Sequence, residues 1–134
     1  MVSQINPLKK TGTTKRMTHT MTYKKQDIVL VPFPFSDRPG FKKRPAVIIS
    51  CENHYNQYGK YVCLAITSQE KKIGKDRYEH KLKETKSVGL LYDDQWILPN
   101  KIFTIEDSLI DQKRGVMDEE DFQTGKSMFD ALFD

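Results

Sequence analysis

The chain has 134 residues, of which 37% are hydrophobic and 30% are charged, a composition that indicates one soluble globular domain with a modest core. No stretch approaches the roughly 18–20 apolar residues of a membrane span, and the polar N-terminus lacks the apolar segment of a secretory signal, so we expect a cytoplasmic protein without membrane association. The 22 Lys and Arg against 18 Asp and Glu give a net charge of +4, which favours a nucleic-acid partner only weakly.

The first 22 residues predict a basic tail outside the folded domain. They are rich in Thr and Lys, contain no Asp or Glu, and show no hydrophobic period. Such a segment buries too little apolar surface to offset the entropy cost of ordering it. We therefore expect residues 1–22 to be disordered, either as a start-site extension or as a nucleic-acid arm, and residues 23–134 to form a single domain.

Short runs of β-branched and aromatic residues follow one another from residue 26 onward and predict strands. The predicted strands cover 26–35, 45–51, 61–67 and 78–82, with further short candidates at 87–91, 95–98, 101–105 and 113–117. Polar and turn-rich segments predict loops at 36–43, 52–60 and 68–77, and residues 107–110 predict one helical turn.

The final segment, 118–133, predicts an amphipathic helix. Phe122 and Phe129 recur at helical spacing, Asp118 is a plausible N-cap, and Gly125 weakens the middle of the helix. About seven short strands closed by one helix favour a mainly β fold, a small barrel, over an α/β sheet, which would need repeated crossover helices.

Charge is unevenly distributed along the chain. Residues 38–86 contain 12 Lys and Arg against 5 Asp and Glu, a net charge of +7, and residues 87–134 contain 4 against 11, a net charge of −7. Asymmetry of this kind indicates a surface that faces a polyanion. We expect the basic middle of the chain to face it and the acidic C-terminal part to point away.

Two polar residues at strand ends are candidates for chemistry. Arg44 stands just before the strand 45–51, and Thr67 ends the strand 61–67. If these strands are antiparallel neighbours, both residues lie at the same end of the barrel beside the basic loops. A guanidinium there suits a phosphate, because it binds phosphate oxygens in a bidentate manner. From the residues alone a structural role is favoured over a catalytic one, since Arg-Pro before a strand and Thr at a strand end are both common.

The sequence contains no motif for a disulfide framework, a metal site, a phosphate-binding loop or a catalytic serine. The two cysteines, Cys51 and Cys63, are too few for a disulfide framework, and no His, Cys or carboxylate residues stand at metal-ligand spacing, so we expect no cofactor and no metal. There is no phosphate-binding glycine loop and no nucleophile elbow. We expect His54 and His80 to be surface residues.

Four blocks of sequence resemble the MazF/PemK toxin family in order and spacing: QDIVLVPFPFSD, KKRPAVIIS, LAITSQ and NKIFTIEDSLI. The resemblance covers about residues 23–133. It implies a homodimeric SH3-like barrel of the CcdB/PemK type and a sequence-specific, metal-independent endoribonuclease that acts on single-stranded RNA. It also implies growth inhibition, an acidic antitoxin lying across the RNA groove, DNA binding by the toxin–antitoxin complex, and catalytic roles for Arg44 and Thr67.

The loop before Arg44 departs from the family pattern, because many members carry a serine close to the active site there. Here Phe41 stands nearest the arginine and Ser36 lies further away, so the third member of the site is open. The candidate substrate-binding residues flank the catalytic pair or lie in the neighbouring loops: Ser36, Phe41, Lys42, Lys43, Tyr55, Ser68, Gln69, Lys71 and Lys72. For Tyr55, packing in a loop and stacking on a base are equally open, and we expect Trp96 to be a core residue or a dimer contact.

RNA carries its own nucleophile, the 2′-hydroxyl, so a metal-free enzyme needs to orient that oxygen and stabilise the charge that develops on the phosphate. Arg44 suits the second task, and the Thr67 hydroxyl can hold a phosphate oxygen in place. We expect a 2′,3′-cyclic phosphate and a 5′-hydroxyl as products, while the general base is not assigned. The alternatives are a CcdB-like toxin that binds a protein and an inactive RNA-binding module on the same barrel.

Overall fold

The computed structural model describes residues 22–32, 42–68 and 78–134. The predicted tail therefore lies outside the described residues, except for Thr22. So do five of the candidate site residues, namely Ser36, Phe41, Gln69, Lys71 and Lys72.

Strands dominate the described chain, and one longer helix closes it. The strands are β1 (Asp27–Pro32), β2 (Lys43–Ile48), β3 (Lys60–Thr67), β4 (His80–Lys81), β5 (Trp96–Glu106) and β6 (Gln112–Val116). The helices are α1 (Glu52–Tyr58) and α2 (Glu119–Ala131), with single 3-10 turns at Lys86–Val88 and Asp107–Leu109. The second of these turns confirms the helical turn predicted at 107–110.

All six strands join one antiparallel sheet in the order β4-β5-β3-β2-β1-β6. The sheet curls into a half-barrel with α2 packed against it, which confirms the mainly β fold with a C-terminal helix. In β5 the pairing with β3 jumps from Ile102 to Leu98, past Pro99, because proline has no N–H to donate to the ladder.

Successive side chains of each strand point to opposite sides of the sheet, and apolar residues cover both sides, so the sheet has two apolar faces. One face carries Val29, Ala46, Cys63 and Ala65 and is covered by Tyr55 of α1. The other carries Ile28, Val47, Leu64, Ile66 and Ile97 and is covered by Phe122 and Phe129 of α2. We call these the α1 face and the α2 face.

Three predictions of local structure are wrong. The segment 52–60 is not a loop, since 52–58 form α1, which ends at Gly59 with a positive φ of 66°. The strand predicted at 87–91 is absent, because 86–88 form a 3-10 turn. The candidates 95–98 and 101–105 are one strand, so the described residues contain six strands where about seven were expected.

The prediction for the C-terminal helix is confirmed, with Asp118 as its N-cap. The Asp118 side chain accepts hydrogen bonds from the N–H groups of Glu120 and Asp121. A glycine stands at position 125, in the middle of the helix, because of packing: a Cβ there would lie 2.8 Å from Ile97 Cδ1. The glycine lets α2 approach the sheet closely.

Candidate active site

Arg44 and Thr67 lie at the same end of the sheet, on neighbouring antiparallel strands. The pairing of β2 with β3 runs through Ala46 opposite Ala65. Continuing this register by two residues beyond the last pair places Arg44 opposite Thr67. The adjacency inferred from strand order therefore fits the observed topology.

Both residues extend the α1 face to its rim. Arg44 lies two positions from Ala46 and Thr67 two positions from Ala65, and alternate residues of a strand share a face. Both side chains are half-buried, and the Nε atom of Arg44 is shielded from solvent. A guanidinium and a hydroxyl are thus set beside each other at the border between the core and solvent, where one phosphate can contact both.

The row continues across the sheet on both sides of this pair. Val31 of β1 pairs with Arg44, Trp96 of β5 pairs with Thr67, and Lys81 of β4 pairs with Trp96. Directly opposed residues of antiparallel strands project to the same side of the sheet. Five strands therefore contribute to one line of side chains, which we call the rim row: Val31, Arg44, Thr67, Trp96 and Lys81.

The predicted substrate residues next to the pair differ in their surroundings. Lys42 and Ser68 are exposed; Lys42 lies two residues before Arg44, and Ser68 directly follows Thr67. Lys43 is exposed as well, but alternation along β2 directs it to the opposite face from Arg44, and its Nζ donates to Asp111 Oδ1 at 2.6 Å. This ion pair holds the pKa of the Asp111 carboxyl below its usual value, with the hydrogen bond from Lys43 as the main cause.

The expectation that Tyr55 stacks on a base does not fit its position. Its side chain is only 6% exposed, because α1 turns it into the core on the α1 face. The ring stacks on Tyr61 with centroids 5.0 Å apart, and the hydroxyl donates to Asp107 Oδ2 at 2.8 Å. Packing, the alternative left open for this residue, is what the structure contains.

Several acids of the C-terminal part lie beside lysines of the basic middle. Lys81, Lys83 and Lys86 pair with Asp94, Glu120 and Asp93 respectively, and Lys43 pairs with Asp111. The folded chain brings acids from residues 87–134 onto lysines of residues 38–86. Charge counted along the sequence therefore overstates the positive field at these lysines.

The family model that matches the chain is described as PemK-like, MazF-like toxin of type II toxin–antitoxin system, and the match covers residues 24–133. The chain belongs to this family. A comparison with curated protein sequences gave no significant match.

Solved MazF structures share the fold at low sequence identity. MazF from Deinococcus radiodurans is 15% identical with a TM-score of 0.66, and the match covers 85% of this chain and 98% of that one. An endoribonuclease from a mycobacterial species, solved in complex with its cognate antitoxin, is 12% identical with a TM-score of 0.63, covering 84% and 95%. A MazE–MazF complex from Deinococcus radiodurans is 13% identical with a TM-score of 0.63, covering 85% and 97%. At these identities the likeness shows the MazF-like fold.

A buried carboxylate that the sequence did not indicate fixes the edge of this MazF-like sheet. Asp121 is fully buried in the first turn of α2 and accepts hydrogen bonds from the N–H groups of Lys83 and Glu84. His80 Nε2 lies 2.9 Å from Asp121 Oδ1. The His80 side chain is only 16% exposed, so the expectation of a surface histidine is wrong. An acid in the first turn usually serves the helix dipole, and only long-range packing reveals its second role.

Two further findings bear on cofactors and membranes. Among the described residues, no three His, Cys, Asp or Glu side chains come together in a way that could hold a metal ion. Over the same ranges, no helix is long and apolar enough to cross a membrane.

Proposed function

We propose that this MazF-like toxin is a sequence-specific endoribonuclease that cleaves single-stranded mRNA without a metal and without a cofactor. Family membership supports the reaction class, and the placement of Arg44 beside Thr67 at the rim of the sheet carries the assignment of the site. We infer that it acts in the cytoplasm and inhibits growth by cutting messages.

In this mechanism the 2′-hydroxyl of the substrate loses its proton and attacks the adjacent phosphorus, and the bond to the 5′-oxygen of the next nucleotide breaks as that oxygen takes up a proton. The net reaction moves one proton from the 2′-oxygen to the 5′-oxygen. The Arg44 guanidinium donates to the non-bridging oxygens as negative charge develops on them, where charge-assisted hydrogen bonds are strongest. The Thr67 hydroxyl holds a phosphate oxygen and aligns the phosphorus with the 2′-oxygen. The products are a 2′,3′-cyclic phosphate and a 5′-hydroxyl end, and DNA is not cut because it lacks the nucleophile.

Residues around the pair supply binding rather than chemistry. Lys42 and Ser68 contact the RNA backbone next to the scissile phosphate. Lys43 is not assigned to this contact, because it projects to the opposite face of the sheet from Arg44 and pairs with Asp111. We retain Ser36, Phe41, Gln69, Lys71 and Lys72 as substrate-binding candidates from the sequence. Tyr55 is not retained, because its ring is packed in the core.

We further propose that the chain works as a homodimer and is inhibited by an acidic antitoxin, in a complex that binds DNA. Its family is defined by toxin–antitoxin pairing, and two of its structural neighbours were solved with an antitoxin bound. An acidic segment suits a site that contains Arg44 and Lys81.

End-mapping of a long RNA incubated with purified protein in EDTA tests the proposed reaction. We expect discrete cuts by the wild type, no cuts by Arg44→Ala, and wild-type cutting by Lys126→Ala, which removes a cation of α2 paired with Asp130 on the helix that covers the opposite face of the sheet from the rim row. Intact RNA together with a trapped topoisomerase complex would instead identify a CcdB-like toxin. Salt-dependent binding without any cut would identify an inactive RNA-binding module.

A further inference from the structure

Trp96 occupies the position on β5 directly opposite Thr67, on the same face of the sheet. Neighbouring strands lie about 4.8 Å apart, so the Trp96 backbone lies about one strand spacing from that of Thr67 and about two from that of Arg44. Its side chain is half-buried, although its neighbour Ile97 is buried on the α2 face. Trp96 is therefore not a buried core residue, because alternation places it in the rim row, while the other expectation, a contact between two copies of the chain, stays a prediction.

Lys81 completes this end of the row. It pairs with Trp96 across β4 and β5, and its Nζ lies 5.7 Å from the centroid of the indole ring, within the range of a cation–π contact. The Lys81 side chain is 58% exposed and its other partner is the exposed Asp94, at 3.3 Å. An exposed ammonium on an indole, next to a guanidinium and a hydroxyl, combines the stacking surface and the cations that single-stranded RNA requires.

The backbone beneath the indole is held firmly. Gln95 is buried, its carbonyl accepts from Leu82 N, and its side-chain Oε1 accepts from the N–H of Tyr92. On the other side of β4, His80 and the N–H groups of Lys83 and Glu84 are tied to Asp121. A ring presented by fixed strands loses little freedom when a base stacks on it, which favours binding.

We propose that Trp96 is a stacking platform for the base next to the scissile phosphate and that Lys81 binds the following phosphate, so that this pair sets part of the sequence preference. The inference rests on the proposed function, since it takes Arg44 and Thr67 as the place of the scissile phosphate. It extends the site from the pair on β2 and β3 to the edge strand β4.

The chain contains a single tryptophan, so its fluorescence reports on this site alone. The probe is a 2′-O-methyl RNA oligonucleotide that spans a mapped cut site and cannot be cleaved there. We expect saturable quenching of Trp96 fluorescence by this RNA. Wild-type fluorescence that does not respond while the same RNA competes for cleavage would overturn the inference, because RNA would then bind without touching the indole.

Variants provide the second test. We expect Trp96→Ala to lower kcat/KM by about 5- to 150-fold, the loss that one base–aromatic stack represents, and to change which sites are cut, while Trp96→Phe keeps most of the activity. Lys81→Gln should reduce the salt dependence of RNA binding by about one phosphate contact. The matched control is Tyr58→Ala, which removes an exposed aromatic ring on α1 outside the rim row and should leave the cut sites and kcat/KM unchanged.

The outcomes separate this inference from the proposed function. Unchanged cut sites and kcat/KM in Trp96→Ala, with cleavage still abolished in Arg44→Ala, would overturn the platform and leave the nuclease intact. If the protein makes no cuts, a mixed-sequence 2′-O-methyl RNA replaces the probe, and quenching of Trp96 fluorescence by it would support base stacking on Trp96 while contradicting the nuclease. If Trp96→Ala does not fold, wild-type fluorescence and the Trp96→Phe and Lys81→Gln variants still test whether Trp96 and Lys81 bind RNA. A change of oligomeric state in Trp96→Ala without RNA quenching would make Trp96 a contact between copies and overturn the platform.

Discussion

Arg44 and Thr67 illustrate how much a pair of residues can reveal before a structure is available. Each interrupts the pattern at one end of an apolar strand, and an antiparallel pairing of the two strands is enough to bring them together. Tyr55 and His80 could not be located in this way. Tyr55 stands in a polar segment that forms a helix. The position of His80 is fixed by a hydrogen bond with the carboxylate of Asp121, 41 residues away in the sequence.

The two cysteines differ in burial, and we predict that they differ in reactivity. Cys63 is fully buried on β3, and burial raises the pKa of its thiol to about 12, whereas Cys51 is exposed before α1. Because the thiolate is the reactive form, one thiol should react quickly with a thiol-specific reagent in the native protein and the second only after unfolding. Fast reaction of two thiols, or of the one that remains in Cys51→Ser, would contradict the structure.

The ion pair between Lys43 and Asp111 predicts a specific pH dependence. The hydrogen bond from Lys43 lowers the pKa of the Asp111 carboxyl in the folded protein, so this pair stabilises the fold above the ordinary carboxyl pKa and the stabilisation is lost as the pH falls through the lowered value. Lys43→Met should raise the pKa of Asp111 towards its ordinary value in an NMR titration. Lys113→Met, which removes the partner of Asp27 instead, is the control. A pKa of Asp111 that is the same in wild type and Lys43→Met would rule out the pair.

Among the elements, the close contact between α2 and β5 is possible because Gly125 of α2 has no side chain. A Cβ at Gly125 would lie 2.8 Å from Ile97 Cδ1 and 3.2 Å from Cγ2, so Gly125→Ala should destabilise the protein by about 1 kcal/mol even though alanine is the better helix former. Denaturant unfolding measures the loss. Thr124→Ala, at an exposed position of the same helix, should not cause it.

Ile97→Val removes the Cδ1 atom and offers a direct check of that contact. In the Gly125→Ala, Ile97→Val double variant, the cost of the alanine should be smaller than in the wild-type background, giving a favourable coupling energy. Strictly additive effects of the two substitutions would mean that the two positions do not touch.

Asp121 joins α2 to the segment that contains β4. Asp121→Ala leaves two backbone N–H groups and His80 without their buried acceptor, and we expect a loss of about 3 kcal/mol in the free energy of unfolding. Glu119→Ala, which removes an exposed acid from the same helical turn, should cost well under 1 kcal/mol. Comparable losses for the two variants would show that Asp121 acts only through the helix dipole.

Local patterns predicted the strands and α2 well because their apolar residues follow a clear period. They failed where tertiary structure decides the conformation. Residues 52–58 are polar enough for a loop, yet they form a helix because Tyr55 buries its ring against Tyr61. The segment 87–91 is apolar enough for a strand, yet residues 86–88 form a 3-10 turn, and the backbone of Val88 and Gly89 lies close against that of Arg114 and Gly115.

For the whole molecule, the sequence indicated a mainly β barrel closed by a helix, and the sheet order shows where that fold places the candidate site. The α2 face is covered by the C-terminal helix, while the α1 face ends in the rim row. The charge of the chain was less informative than its topology, because folding pairs several lysines of the basic middle with C-terminal acids.

The central claim, that Arg44 and Thr67 promote attack by the 2′-hydroxyl of RNA, is tested most directly with a defined RNA that carries one 2′-deoxynucleotide at a mapped cut site. We predict that the wild type cuts the unmodified RNA in EDTA to give 2′,3′-cyclic phosphate and 5′-hydroxyl ends, that the single 2′-deoxy substitution abolishes cutting at that bond alone, and that Arg44→Ala cuts neither RNA. Cutting at the 2′-deoxy bond, or undiminished cutting by Arg44→Ala, would contradict it.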